Sequence, residues 1–321
     1  MIAQTYWLYS TVAVIFMSIL IALDLIVLVA NALSLRKLPP SSFLIFWLCF
    51  CGAGTALNPL IIASTHLARD NLAFNNRQCQ IHGFFTLVFA LMSLCLCTGL
   101  TLFRYLVVVW EVNLFPQLAP VILAITIVTC SIVAGLPFLL NTADTTYVML
   151  STQILCTVAW YDPSFQVKLV GWVCVSVLTI PIFFIGFAYA SIYRRFYLSM
   201  QITEVALVSV RTVSSSNLGA NASTSKVNKT EQQILAAKTD RERQQTLLME
   251  SIALVTVFLI GWAPYFCAVL YELSTARSVS EQFEFFAQLA ITTNNTLNPI
   301  LALVFDHTLR GNVKKMLRIE R

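Results

Sequence analysis

The sequence predicts an all-α membrane protein, a seven-transmembrane helix bundle with a short amphipathic C-terminal helix. Three observations predict it. Of 321 residues, 58% are hydrophobic and only 11% charged, against roughly half apolar and a quarter charged in soluble domains, so lipid is the solvent. Apolar runs at about 8–34, 43–67, 80–109, 118–140, 167–193, 251–273 and 285–305 are each long enough as helices to cross a bilayer core of about 30 Å. Loops taken alternately hold sixteen Lys and Arg on one face and four, Arg69, Arg77, Lys168 and Arg277, on the other. That asymmetry puts the first face in the cytosol. The reading is then a multi-pass plasma-membrane protein with its N-terminus extracellular and its C-terminus cytoplasmic. The net charge of +5 marks an inner face near anionic lipid and argues against a nucleic-acid partner.

Each element follows from local signals. The N-terminus lacks the basic region of a signal peptide, so the first run is read as a retained helix. It carries Asp24 and Asn31, one heptad apart and nearly on one face, and stops at Arg36, Lys37 and Pro39-Pro40. Helix two contains Gly52, Gly54 and Asn58-Pro59, which suit close packing and a kink. Helix three reads from Cys79 to Arg104, about 37 Å of nearly uncharged helix whose ends face opposite compartments. Of nine cysteines, Cys49, Cys51, Cys95, Cys97, Cys130, Cys174 and Cys267 fall inside spans. Cys79 and Cys156 fall outside the cell, where disulfides persist, and are read as a pair.

Glu111 to Gln117 forms a short inner loop, and helix four ends near Pro137, before a long outer loop that carries Cys156. Helix five contains Pro181 and leaves through Tyr189, Tyr193 and Arg194-Arg195. The Ser- and Asn-rich stretch at about 199–243 is expected to be flexible. Its Asn221 and Asn228 sequons face the cytosol on this topology and are expected to be unused. GWAPYF at 261–266 marks helix six and TTNNTLNPILALVF at 292–305 helix seven. The seven-helix domain thus spans residues 1–305. In the tail, 306–321, Leu309, Val313, Met316 and Leu317 recur at helical spacing among basic residues, as in a helix lying on the inner leaflet.

Cys79, Arg104-Tyr105, Trp262-x-Pro264 and Asn298-Pro299, set in seven helices, resemble the rhodopsin-like (class A) G-protein-coupled receptors over nearly the whole chain. The spacings carry the resemblance. Cys79 precedes Arg104 by twenty-five residues, Pro181 precedes Tyr189 by eight, and Trp262 lies four after Phe258 and two before Pro264. The resemblance implies a receptor that binds a small ligand and activates a heterotrimeric G protein. It implies an activation switch of Arg104, Tyr105, Pro181, Tyr189, Phe258, Trp262, Pro264, Asn298 and Pro299, whose prolines free carbonyls and bend helices. It also implies a pocket lined by His82, Thr86, Leu87, Ala90, Val173, Cys174, Val177, Trp262, Tyr265, Phe266, Val269, Gln288 and Thr292. Such a lining suits a small, neutral or lipophilic molecule. Thr86 stands where amine receptors hold an aspartate, and Thr292 where opsins hold their retinal-binding lysine, so the chain is not an opsin. Glu272, Glu281 and Glu284 around the outer mouth are read as a solvated rim, with attraction of a cation as the alternative.

The departures from the family pattern are equally specific. Phe103 replaces the acid before Arg104, and Gln244 stands where many members carry a glutamate, so the inactive-state lock is weakened and raised basal activity is expected. The second-helix aspartate is absent, with Gly52 in its place. Asp24 with Asn294, Asn295 and Asn298 is expected to rebuild a polar cluster for sodium or water. Ala302 replaces the tyrosine after Asn298-Pro299, which leaves a signalling-incompetent scaffold or co-receptor as the alternative. A transporter or channel is disfavoured by Asp24 being the only deeply placed charge. No enzyme is expected: His66, His82 and His307 sit near span ends on both sides, and no metal centre, cofactor fingerprint or nucleophile-base pair appears.

Overall fold

Lipid leaves no partner for unsatisfied backbone groups, so apolar runs without internal breaks fold as helices. The computed structural model of the chain describes residues 2–68, 75–112, 117–150, 154–216, 256–305 and 307–317. Helix α1 spans Ile2–Ala32 and ends in a 3-10 turn at Leu35–Lys37. Helix α2, Pro40–Ala68, opens on a proline, whose missing N–H has no helical partner at that position. Helix α3, Asn76–Val109, is opened by a capping box between Asn75 and Gln78. After α4, Leu118–Leu139, one helical turn at Ala143–Thr146 leads into strands β1, Tyr147–Met149, and β2, Cys156–Val158. They pair antiparallel, with Tyr147 opposite Val158 and Met149 opposite Cys156. Then come α5, Phe165–Ser216, α6, Thr256–Thr275, α7, Glu281–Phe305, and α8, His307–Met316.

Six of these helices, α1 to α6, are long and apolar enough to cross a membrane. The seventh, α7, has 25 residues, about 37 Å, with its apolarity diluted by the run Thr292-Thr293-Asn294-Asn295. Helix α3 lies at the centre, against α2, α4, α5 and both strands, while α1 packs on α2, α7 and α8. The main core runs from Val27 and Leu44 through Leu91 and Leu94 to Trp262 and Leu309. Large apolar side chains such as Ile15, Val29, Ile125, Ile180 and Phe183 point outward, as a lipid-facing surface requires. Two glycines permit close approach: a Cβ on Gly83 would meet the Tyr147 ring at 2.5 Å, and one on Gly261 would meet Asn294 Cβ at 2.5 Å.

Three features differ from the sequence reading or add to it. Helix α5 continues past Arg195 to Ser216, into the stretch read as flexible from about 199. Residues 199–213 hold no proline or glycine, and the Ser-rich composition begins only at Ser214. The remainder of that stretch, with Asn221 and Asn228, lies outside the described residues, as does Gln244. The outer loop, read only as a long loop carrying Cys156, forms a hairpin of β1 and β2. In α8, Leu309 and Val313 are buried whereas Met316 and Leu317 are exposed, so the apolar face divides between the bundle and its surroundings. Asn312 Nδ2 donates to Asn31 Oδ1 at 2.7 Å and to Ser34 Oγ at 3.1 Å, clipping α8 to the end of α1.

Candidate functional site

Cys79 at the start of α3 and Cys156 at the start of β2 are joined by a disulfide, Cα atoms 5.3 Å apart. The bond anchors the hairpin across one end of the bundle. Tyr147 is fully buried beneath it, and its hydroxyl donates to Ala134 O at 2.7 Å. Four residues after Cys156, the buried Trp160 donates its indole N–H to Tyr265 Oη at 3.2 Å, so the loop roofs the bundle and touches α6.

Under this roof lies a narrow chamber. Seven of its walls come from the predicted pocket: Thr86, Leu87, Ala90, Cys174, Trp262, Tyr265 and Gln288. The sequence reading missed Thr55, Leu91, Thr157, Trp160, Leu178 and Ile291. Thr157 and Trp160 carried a usable signal, since the disulfide at Cys156 must bring its neighbours to the mouth. The other predicted residues are placed differently. Val269 opens on an adjoining cavity. Val173, Val177 and Phe266 are half-buried against the core. His82 Nδ1 shares a hydrogen bond with Asn58 Oδ1 at 3.1 Å, turning it toward α2. Thr292 is buried, with its hydroxyl donating to Gln288 O one turn back at 2.9 Å. The Thr86 hydroxyl likewise donates to His82 O at 2.9 Å, so the chamber keeps an apolar and aromatic surface.

Below the chamber the rings form a column. Tyr265 meets Trp262 edge-on with centroids 6.3 Å apart, and Trp262 lies 5.7 Å from Phe258. The Asn294 amide on α7 faces Trp262: its oxygen accepts from the indole N–H at 3.2 Å and its nitrogen donates to Val257 O at 3.1 Å. Gly261 allows this contact, because any larger residue would hold α6 away from Asn294. Pro264 sits in the middle of α6 and Pro181 inside α5.

At the far end, Arg104 is half-buried, and Tyr105 packs edge-on against Phe184 of α5 at 6.4 Å. Tyr189 is half-buried on α5. Just past α3, Glu111 adopts a left-handed backbone, φ 53°, and pairs with Arg195 at 2.6 Å. Both side chains are more than half exposed, so the pair contributes under about 1 kcal/mol. Asp24 is fully buried on α1, and neither carboxylate oxygen has a hydrogen-bond partner among the described residues. Asn294 bonds α6 and not Asp24, while the side chains of Asn295, Asn298, Pro299 and Ala302 lie outside the described residues.

A seven-helix bundle with a disulfide-pinned roof, a chamber beneath it and an aromatic column below defines a membrane receptor architecture. The family model for the 7 transmembrane receptor (rhodopsin family) matches residues 7–301, and the chain belongs to that family. The crystal structure of squid rhodopsin is similar in fold, with a TM-score of 0.77 and 16% identity, covering 99% of this chain and 86% of that one. Comparison with curated proteins returned no match.

Proposed function

We propose that the protein is a receptor that binds a small lipophilic ligand in the roofed chamber and activates a heterotrimeric G protein. The chamber end would face outward and the Arg104 end the cytosol. The observation that carries this reading is the unbroken line from Trp160 in the roof through Tyr265 and Trp262 to Phe258. A ligand that displaces Trp262 would move α6 about Pro264, since interfaces packed this tightly switch between discrete arrangements rather than deform smoothly.

Phe103 beside Arg104 supports a raised basal level. The clamp it removes is worth about 1–3 kcal/mol, or roughly tenfold or more in the population of the active state. In reconstituted bilayers, Phe103→Asp is expected to lower basal G-protein nucleotide exchange about tenfold. An unchanged basal rate would refute the weakened lock. A sodium or water site at Asp24 is part of the same proposal, resting on its buried carboxylate.

A further inference from the structure

Five cysteines stand on the packed helices α2, α3 and α4: Cys49 and Cys51, Cys95 and Cys97, and Cys130. Two of them touch across the α3–α4 seam, where Cys130 donates its S–H to Cys95 Sγ at 3.9 Å. Close backbone approach builds this contact. One turn along α3 from Cys95, a Cβ on Gly99 would meet Ile122 Cγ2 of α4 at 2.6 Å, so glycine lets the helices close together there. Cys130 is fully buried, whereas Cys95 is half-buried and keeps some exposure.

Depth decides what can react with the pair. Cys95 lies sixteen residues after Cys79 and nine before Arg104, or about 24 Å from the disulfide end of α3 and about 13 Å from the Arg104 end. Both sulfurs therefore sit in the hydrocarbon core. Glutathione and other water-soluble thiols stay outside it. An oxidant that reaches Cys95 must dissolve in lipid.

We propose that Cys95 and Cys130 are a redox pair that lipid hydroperoxides oxidise to a disulfide, locking α3 to α4. Cys95 Sγ attacks the terminal oxygen of the hydroperoxide. The O–O bond breaks, the lipid leaves as its alcohol with the Cys95 proton, and Cys95 becomes a sulfenic acid. Cys130 Sγ, already in contact, then attacks the Cys95 sulfur. The S–S bond forms, the S–O bond breaks, and the hydroxyl leaves with the Cys130 proton as water. Two thiols give up two electrons, and one hydroperoxide takes them. The bond from the Cys130 S–H favours the more accessible Cys95 as the attacking sulfur and leaves the buried Cys130 to resolve it. The lock joins two functional parts, since α3 carries Thr86, Leu87 and Arg104 while Ala134 O of α4 holds Tyr147 beneath the roof. It does not depend on the receptor reading.

The test treats the full chain in lipid nanodiscs with linoleic acid hydroperoxide, blocks remaining thiols with N-ethylmaleimide and maps the unreduced digest by mass spectrometry. The expected product is a peptide pair joined through Cys95 and Cys130, separable by a phosphine, with a hydroxy fatty acid released for each link. Cys267, exposed on α6, measures access alone and is expected to stay alkylatable. Oxidised wild type is expected to melt about 5 °C or more above the untreated protein. Cys130→Ala is expected to give neither link nor shift and to hold Cys95 as a sulfenic acid that dimedone traps. Absence of the link, or links of equal yield at Cys49, Cys51 or Cys97, would overturn the pair. A link without a rise in melting temperature would overturn the lock, and equally fast oxidation by hydrogen peroxide would overturn the lipid source.

Discussion

Trp262→Ala is expected to abolish ligand-dependent signalling and to cost about 3–5 kcal/mol of stability, the range for removing a buried aromatic side chain. Trp262 is buried, touches Phe258 below and Tyr265 above, and donates its indole N–H to Asn294. Alanine leaves a void at the centre of the column, and the chamber loses its floor. Trp262→Phe separates two contributions. It keeps ring contacts but drops the bond to α7, with an expected cost of about 1 kcal/mol and partial signalling. Thermal unfolding of the purified receptor and agonist-stimulated nucleotide exchange check both variants. Full signalling by Trp262→Ala would show that the column carries no information.

Cys79→Ser is expected to have the largest effect on folding. The bond closes a loop with 77 residues of sequence separation, and chain entropy alone assigns about 4.5 kcal/mol to such a closure. Its loss frees the hairpin, and with it Trp160 and Thr157, so the chamber loses its roof as well. Cell-surface expression and ligand binding are both expected to fall sharply. The double variant Cys79→Ser, Cys156→Ser is expected to be no worse than the single one, because the two sulfurs act as one unit. Additive losses would argue that each cysteine matters for packing rather than for the bond.

The fold was legible because hydropathy and charge asymmetry are summed over long segments. Seven apolar runs and one basic face survive local irregularity, and among the described residues each expected span falls on a helix. Part of the chamber lining was legible, since family spacing named Thr86, Cys174, Trp262 and Gln288, which line the cavity. What escaped was set by tertiary approach. Nothing local to Asn31 or Asn312 announces their contact across the bundle. The Glu111–Arg195 pair joins residues far apart in sequence at a left-handed turn. Glu272 reads as a rim residue by its position near a helix end, yet the roof encloses it, and only the path of the hairpin decides that. Asn294 was grouped with Asp24 by proximity of type, whereas the close approach at Gly261 turns it to Trp262.

The central claim is that the half-buried Arg104 end engages a G protein. Basal nucleotide exchange across a panel of purified G proteins, wild type beside Arg104→Ala, tests it most directly. The account predicts exchange on at least one partner without added ligand, lost in Arg104→Ala while the variant keeps its thermal stability. Equal exchange by both proteins, or none by wild type with any partner, would contradict it.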